Sequence, residues 1–288
     1  MRLWSEEDSA PDEDPALDAV VDWLLAATKH DPAGYFAALV RRAIDEVIDG
    51  PRTGRWSMDQ LEKTEQTYVG TKIEIVVRAA LGVERGKAMD FEIAGHDVDI
   101  KWSKKSDWQI PTEAVGHLCL CVGAVRGLTA LKVGVVRCRP ENLNLGKNKD
   151  GKTTLSAAGR ADMRMLAVDV PLPPNFVAEM DPAVREAVVA HETIQARVTA
   201  LAKAMPYVPI PRDAIRTIAR TEGDPIRRTR SDAGRPDPLD GMVLLSARYR
   251  KAEIAALNLP PLGPDEFMAV PRADLEAHGF GTSEPAAN

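Results

Sequence analysis

Asp90-Phe91-Glu92-Ile93-Ala94-Gly95-His96-Asp97-Val98-Asp99-Ile100-Lys101-Trp102 alternates polar and apolar residues on both sides of Ala94-Gly95. A period of two flanking a short Gly-containing turn predicts an antiparallel hairpin. With the turn centred on Ala94-Gly95, Ile93 faces His96, Glu92 faces Asp97, Phe91 faces Val98 and Asp90 faces Asp99. Side chains alternate between the faces of a strand. One face therefore carries Asp90, Glu92, Asp97, Asp99 and Lys101. The other carries Phe91, Ile93, Val98, Ile100 and Trp102 and is a core face. Opposed Cβ atoms lie about 4.5–5.5 Å apart, where like charges destabilise a sheet. Folding alone gives no reason to set Asp90 against Asp99; a divalent cation would, since Mg²⁺ takes one or two carboxylates plus water and phosphate oxygens. Lys101, on the same face, suits a phosphate oxygen or a metal-bound water. Spacing alone leaves two readings: this cation site, or a solvated strand face whose aspartates pair by chance.

Outward from the hairpin, helical periodicity predicts helices over 15–29, 32–48 and 58–81, the last with a candidate break at Gly70. The continuously apolar runs 118–125 and 131–138 read as strands buried on both faces. A helix is expected over 154–166. Val170-Pro171-Leu172-Pro173-Pro174-Asn175 reads as a stiff linker. Beyond it, helices over 181–191, 193–205 and 211–221, an arginine-rich loop, strands over 242–246 and 266–270 and a short helix over 250–257 suggest a small winged-helix-like module. The expected domains are an acidic disordered tail at 1–14, a first domain at 15–169, the linker at 170–175 and a second domain at 176–288.

The 288 residues carry a formal net charge of −6, unevenly spread. Residues 1–50 sum to −8 and residues 51–170 to +4. Bulk acidity therefore does not exclude nucleic acid, because local patches set that attraction. Three cysteines without a Cys-x-x-Cys pair argue against a disulfide framework and a zinc site. With no signal-peptide order at the N-terminus and no apolar run of membrane-spanning length, the expected compartment is the cytoplasm, without a membrane partner.

Glu74 lies in Thr71-Lys72-Ile73-Glu74-Ile75-Val76-Val77-Arg78, an acid with apolar neighbours on both sides. It is either an exposed helix residue pairing with Arg78 at i+4 or part of a site. Glu74, then Asp90, Asp99 and Lys101, resembles the PD-(D/E)xK nuclease core. More specifically, the chain resembles the NaeI-type restriction endonucleases. The matching runs are Arg52-Thr53-Gly54-Arg55-Trp56, Asp59-Gln60-Leu61, Lys63-Thr64-Glu65, Gly70-Thr71, Glu92-Ile93-Ala94-Gly95, Val98-Asp99 and Gly116-His117 with Cys119-Leu120. The likeness is strongest over about 20–170.

The resemblance implies an α/β (α+β) fold class. A restriction-endonuclease-like mixed sheet flanked by helices forms the N-terminal part, and a helix-turn-helix or winged-helix-like DNA-binding domain follows. It implies an Mg²⁺-dependent homodimer that cleaves double-stranded DNA at a short palindrome, with a second copy of the target bound as activator. Glu74, Asp90 and Asp99 are then the metal ligands. With Lys101 they form the catalytic set. Candidate DNA contacts are Lys104, Lys105 and Trp108 after the catalytic strand, and Arg212, Arg216, Arg220, Arg227, Arg228 and Arg230 in the second domain. Guanidinium groups suit phosphate and guanine edges, although Asp213, Glu222 and Asp224 can neutralise some of them. The family also has a ligase-like stretch. Val47 here replaces the nucleophilic lysine in Val47-Ile48-Asp49-Gly50, so no strand-joining chemistry is expected. The rival readings are a repair or mismatch-nicking endonuclease and a non-catalytic helix-turn-helix regulator.

Overall fold

The computed structural model describes residues 14–146, 148–229 and 237–281; Lys147, Arg230, residues 1–13 and the side chain of Arg228 lie outside it. The described helices are α1 Pro15–Ala27, α2 Pro32–Ile48, α3 Gly50–Thr53, α4 Lys63–Leu81, α5 Ala157–Ala161, α6 Phe176–Glu179, α7 Pro182–Val189, α8 Ile194–Ala204, α9 Arg212–Ala219, α10 Lys251–Ala256 and α11 Arg272–Ala277. The strands are β1 Phe91–Ile93, β2 His96–Ser103, β3 Gln109–Ile110, β4 Leu118–Val125, β5 Ala130–Arg137, β6 Thr153–Thr154, β7 Arg164–Pro171, β8 Pro209–Pro211, β9 Met242–Ser246 and β10 Glu266–Pro271. They divide into two compact units: Met1–Ile44 with Glu65–Pro173, and Asp45–Thr64 with Pro174–Asn288.

The first unit is built on a five-stranded mixed sheet of order β1-β2-β4-β5-β7. The hairpin forms in the expected register, Phe91 with Val98, Glu92 with Asp97 and Ile93 with His96. Its two turn residues, Ala94 and Gly95, both have positive φ (53° and 78°), as a right-twisted two-residue hairpin requires. β2 runs parallel to β4, and β4 and β5 pair antiparallel along their whole length. Every residue from Leu118 to Ala124 is buried, which is why that run shows no alternation. α4 passes through Gly70 without a break.

Residues 154–166 correct the expectation of a helix. β6, the five-residue α5 and the start of β7 replace it. β7 is the edge strand of the sheet and mostly exposed, so its alternation is weak and the short α5 ahead of it supplies the helical signal. β7 also runs through Val170 and Pro171, so the proline-rich segment begins as an edge strand, where a proline without an N–H is tolerated. The N-terminal reading also changes at Asp14. That residue is structured: it caps α1 through the Leu17 N–H and pairs with Arg137 and Arg139 at the end of β5. The remaining expectation, for residues 1–13, lies outside the described residues.

The second unit has the three-stranded sheet β8-β10-β9 and a core of Val177, Val198, Leu201, Ile215, Ile218 and Phe267. Residues 45–64, expected in the first domain, belong here. Trp56 packs against this core. Asp49 takes a left-handed φ of 49°, and Gly50 opens α3 so close to α9 that a Cβ would meet Thr217 Oγ1 at 2.4 Å. Gly50 therefore serves a close approach to α9.

Asp14 generates a stability prediction. Its hydrogen bond from Arg137 leads the causes that lower its pKa from 3.8 to about 2, against burial. A depressed carboxylate adds stability above its unfolded pKa and loses it as pH falls through the folded value. Asp14→Asn keeps a helix-capping side chain but removes the charge. It should cost about 2 kcal/mol at pH 7, roughly half that at pH 3, and nothing below pH 2. Urea unfolding of both proteins across this range measures it; a pH-independent difference would contradict the ion pair.

Candidate active site

β2 sits between β1 and β4, so whatever its side chains carry is held inside the sheet. Asp99 pairs in register with Cys119 of β4, and Lys101 with Cys121. In a parallel ladder, registered residues share a face. Asp99 and Lys101 therefore stand on the same side as two fully buried thiols, Cys119 and Cys121, in an apolar cluster with Trp108, Ile110, Val136 and Cys138. The two thiols pack at 3.7 Å. Hydrogen bonds from neighbouring thiols, and then burial, push the Cys119 and Cys138 pKa values up, which keeps these groups neutral.

Asp99 is only 5% exposed. Asp90 lies just before β1, and its carboxylate accepts a hydrogen bond from the Ile100 backbone N–H (3.2 Å). Lys101 Nζ reaches both acids, at 2.7 Å from Asp99 Oδ1 and 3.8 Å from Asp90 Oδ2. Asp99 Oδ2 is buried with no hydrogen-bond partner. Burial first, and then the Asp90 carboxylate, push the Asp99 pKa up to about 7, against the pull of Lys101. Burial works to lower the Lys101 pKa, but Asp99 outweighs it and the ammonium is stabilised. Glu74, half-buried on α4, is shifted upward by burial and then by Asp90; Lys101, Arg78 and Lys152 oppose that shift. Glu74, Asp90, Asp99 and Lys101 thus interact as one electrostatic group.

Among the described residues, no three His, Cys, Asp or Glu side chains are gathered as a ready metal cage. The carboxylate pair nevertheless fits a hard cation. An unpaired buried carboxylate oxygen costs free energy, and a divalent ion of the Mg²⁺ type asks the protein for only one or two carboxylates.

The other expected site residues divide. Lys104 and Lys105 lie exposed in the turn after β2. Trp108 is not a surface residue: it is 1% exposed, its indole N–H donates to the Val122 carbonyl, and Lys132 stacks over its ring. A Cβ on Gly123 would meet the indole at 2.7 Å, so the sheet is shaped to seat it as core. In the second unit, Arg212 pairs with Asp224 and Asp265 and lies over Phe267. Arg216 contacts Asp213. Arg220 is the left-handed residue that ends α9 and is exposed. Arg227 is exposed in the 3-10 turn Pro225–Thr229. Arg230 and the side chain of Arg228 lie outside the described residues. Sequence reasoning passed over Lys152, whose signal was its place in the lysine-rich run 147–152.

Among the described residues, no helix is long and apolar enough to cross a membrane. The family model described as restriction endonuclease NaeI matches residues 23–288. The Type II restriction enzyme NaeI of Lentzea aerocolonigenes is 34% identical over 242 residues, which covers 80% of this chain and 76% of that protein. With that match over most of the chain and a mixed sheet that carries Asp99 and Lys101 side by side, the chain belongs to the NaeI restriction endonuclease family.

Proposed function

We propose that this protein is a type II restriction endonuclease, a site-specific deoxyribonuclease that hydrolyses phosphodiester bonds in double-stranded DNA. The observation that carries the reading is the buried Asp99, one oxygen unpaired, with Asp90 and Lys101 against it. Asp90 and Asp99 would hold Mg²⁺, and Glu74 would support a second ion or its water shell. The ion, when bound, neutralises charge on the phosphate and lowers the pKa of water. The chain's own groups do the rest. Asp99 and Asp90 fix the position of positive charge in a site that Trp108 and the thiol cluster keep dry from below. Lys101, its ammonium held on Asp99, orients the attacking water and stabilises charge that develops on the phosphate. Lys104 and Lys105 grip the backbone beside the scissile bond. A palindromic site presents two phosphates related by a two-fold axis, so the working form is a homodimer. A soluble cytoplasmic enzyme fits this substrate.

The second unit supplies a further DNA contact. Its sheet order β8-β10-β9, with α8 before β8 and α9 after it, matches a winged-helix plan, and α9 with the 3-10 turn after it presents the arginines. We infer that it binds a second copy of the target as activator. The intact Glu74, Asp90, Asp99 and Lys101 set favours this enzyme over a non-catalytic regulator. The second DNA-binding unit favours restriction over mismatch nicking.

Three outcomes test the reading. Asp99→Asn should abolish Mg²⁺-dependent plasmid cleavage while leaving the fold intact. Because the raised Asp99 pKa lowers stability as pH climbs from 4 through 7, metal-free Asp99→Asn should unfold at a higher temperature than wild type above pH 7 and at the same temperature near pH 4. Cleavage near the wild-type rate would remove Asp99 from the mechanism. Lys101→Met should slow cleavage by roughly 10²–10³, the scale for one preorganised charge-stabilising group, with little change in DNA affinity. An affinity loss equal to the rate loss would move Lys101 to ground-state binding. For the second unit, an uncleavable target duplex should accelerate cutting of a single-site plasmid by roughly 5–150-fold. Replacing Arg227, Arg228 and Arg230 together with Ala should remove the acceleration and keep the basal rate. Loss of the basal rate with activation retained would reverse the assignment of the two units.

A further inference from the structure

Asp99, Lys101 and Ser103 alternate along β2 and so share one face of the strand. They stand in register with Cys119, Cys121 and Gly123 of β4. Ser103 is the last residue of β2 and is buried. Its hydroxyl works in the turn that follows. Oγ accepts the backbone N–H groups of Lys105 (3.2 Å) and Asp107 (3.0 Å) and donates to Asp107 Oδ1 (2.6 Å). One side chain thus closes the stretch 103–107 on itself. The stretch is also fastened to the sheet. Ser106 holds a left-handed φ of 57°, which is costly for a residue with a Cβ, and its Oγ donates to the Ala124 carbonyl (2.8 Å). Just beyond, the Trp108 indole is fixed on the Val122 carbonyl. Gly123 leaves room for this fastening, since a Cβ there would meet Ser106 Oγ at 2.5 Å.

The two residues inside this clasp that face solvent are Lys104 and Lys105. A solvated connection from β2 to β3 needs neither a serine in a disfavoured conformation nor a hydroxyl shared among three partners. Strain that surrounding contacts hold in place collects where a geometry is used. Lys104 and Lys105 lie three and four residues beyond Lys101, at most about 10–13 Å of extended chain. A phosphate backbone held by them is therefore set at a fixed offset from Lys101 and Asp99. A flexible loop loses conformational freedom on meeting DNA, and that loss is subtracted from affinity. A turn already tied by Ser103 has lost it on folding.

We propose that Ser103 is a positioning residue of the nuclease. With Asp107 it fixes the turn that aims Lys104 and Lys105 at the phosphate backbone of duplex DNA. The proposal rests on the nuclease reading and deepens it. Asp107 gives it a sign that charge alone does not share. Removing an acid beside two lysines that face DNA strengthens phosphate binding if only charge matters. It weakens binding if the acid orders those lysines.

The test measures steady-state plasmid cleavage by the full-length protein with Mg²⁺, and binding of plasmid DNA without divalent metal as a function of salt. Ser103→Ala and Asp107→Ala should each raise the KM roughly tenfold, the scale for a hydrogen bond to a charged group. Little change in kcat is expected, because the contacts of Lys101 to Asp99 and Asp90 involve neither residue. Both should lower the slope of log K against log salt, toward the drop of about 1.8 expected for Lys104→Ala with Lys105→Ala, two phosphate contacts at about 0.9 each. In that double-lysine background neither substitution should raise the KM further, whereas a merely structural role adds its own loss. Asp107 is exposed, so Asp107→Ala carries the test should Ser103→Ala not fold. An unchanged or lowered KM in Asp107→Ala, a wild-type KM and slope in the double-lysine variant, or losses that persist in its background overturn the proposal. If the wild type cleaves plasmid DNA with Mg²⁺ while any of those results holds, only the role of the turn fails. If it cleaves no duplex, the nuclease reading fails, and the metal-free slopes still decide whether the turn grips DNA.

Discussion

A carboxylate inside a sheet, facing a second carboxylate, is the constraint around which the first unit is arranged. Taking a charged group out of water costs several kcal/mol even after relaxation, and Asp99 is both buried and beside Asp90. Lys101 offsets part of that cost through a 2.7 Å contact to one oxygen and leaves the other without a partner. The surroundings hold the arrangement in place. β2 lies between two paired strands, β4 is apolar along its length, and the face beneath Asp99 is closed by thiols and the Trp108 indole. Each of these excludes water, so each strengthens the field between the acids and any cation between them. The site is poor as a fold element and good as a charge trap, and the rest of the sheet supplies the stability it gives up.

This balance explains what was legible in the sequence. The hairpin could be read to the residue because two signals agreed: strict period-two alternation, and a glycine in a short turn, even though Ala94 beside it takes a positive φ that a Cβ disfavours. The Asp90 and Asp99 opposition followed from that register, and with it the candidate site. The structure adds that Asp90 sits just outside the ladder and folds its carboxylate onto the Ile100 N–H, a refinement that alternation cannot carry. Glu74 was readable as an anomaly, an acid among apolar neighbours, but only the tertiary placement of α4 decides between an exposed helix pair and a site.

What escaped the sequence depends on contacts distant along the chain. Asp14 belonged by composition to an acidic tail, and two arginines more than a hundred residues away make it a structural cap. Trp108 followed a pair of lysines and read as part of their surface, yet Gly123 on another strand leaves the space that buries it. Residues 154–166 carried one short helix and the start of an edge strand in a span that suits a single helix. Residues 45–64 pack with the second unit, and nothing local records that Gly50 must lie against Thr217. Local periodicity fixes element type where elements are long; it does not record which distant surface a residue will meet.

Charge counting has the same weakness, and the two lysine- or arginine-rich regions show why. The 212–235 stretch holds seven arginines, yet Arg212 and Arg216 are occupied by Asp224, Asp265 and Asp213, so part of that charge serves the unit's own packing. Lys149 and Lys152, in a segment with fewer cations, are left facing solvent. The contribution of a cation to phosphate binding depends on the counterions it releases and the partner it must abandon. A lysine without a salt bridge gives up little on meeting an anion. A guanidinium already shared between two acids must break those contacts first. By that measure Arg212 and Arg216 contribute less per charge than the arginine count of their segment suggests.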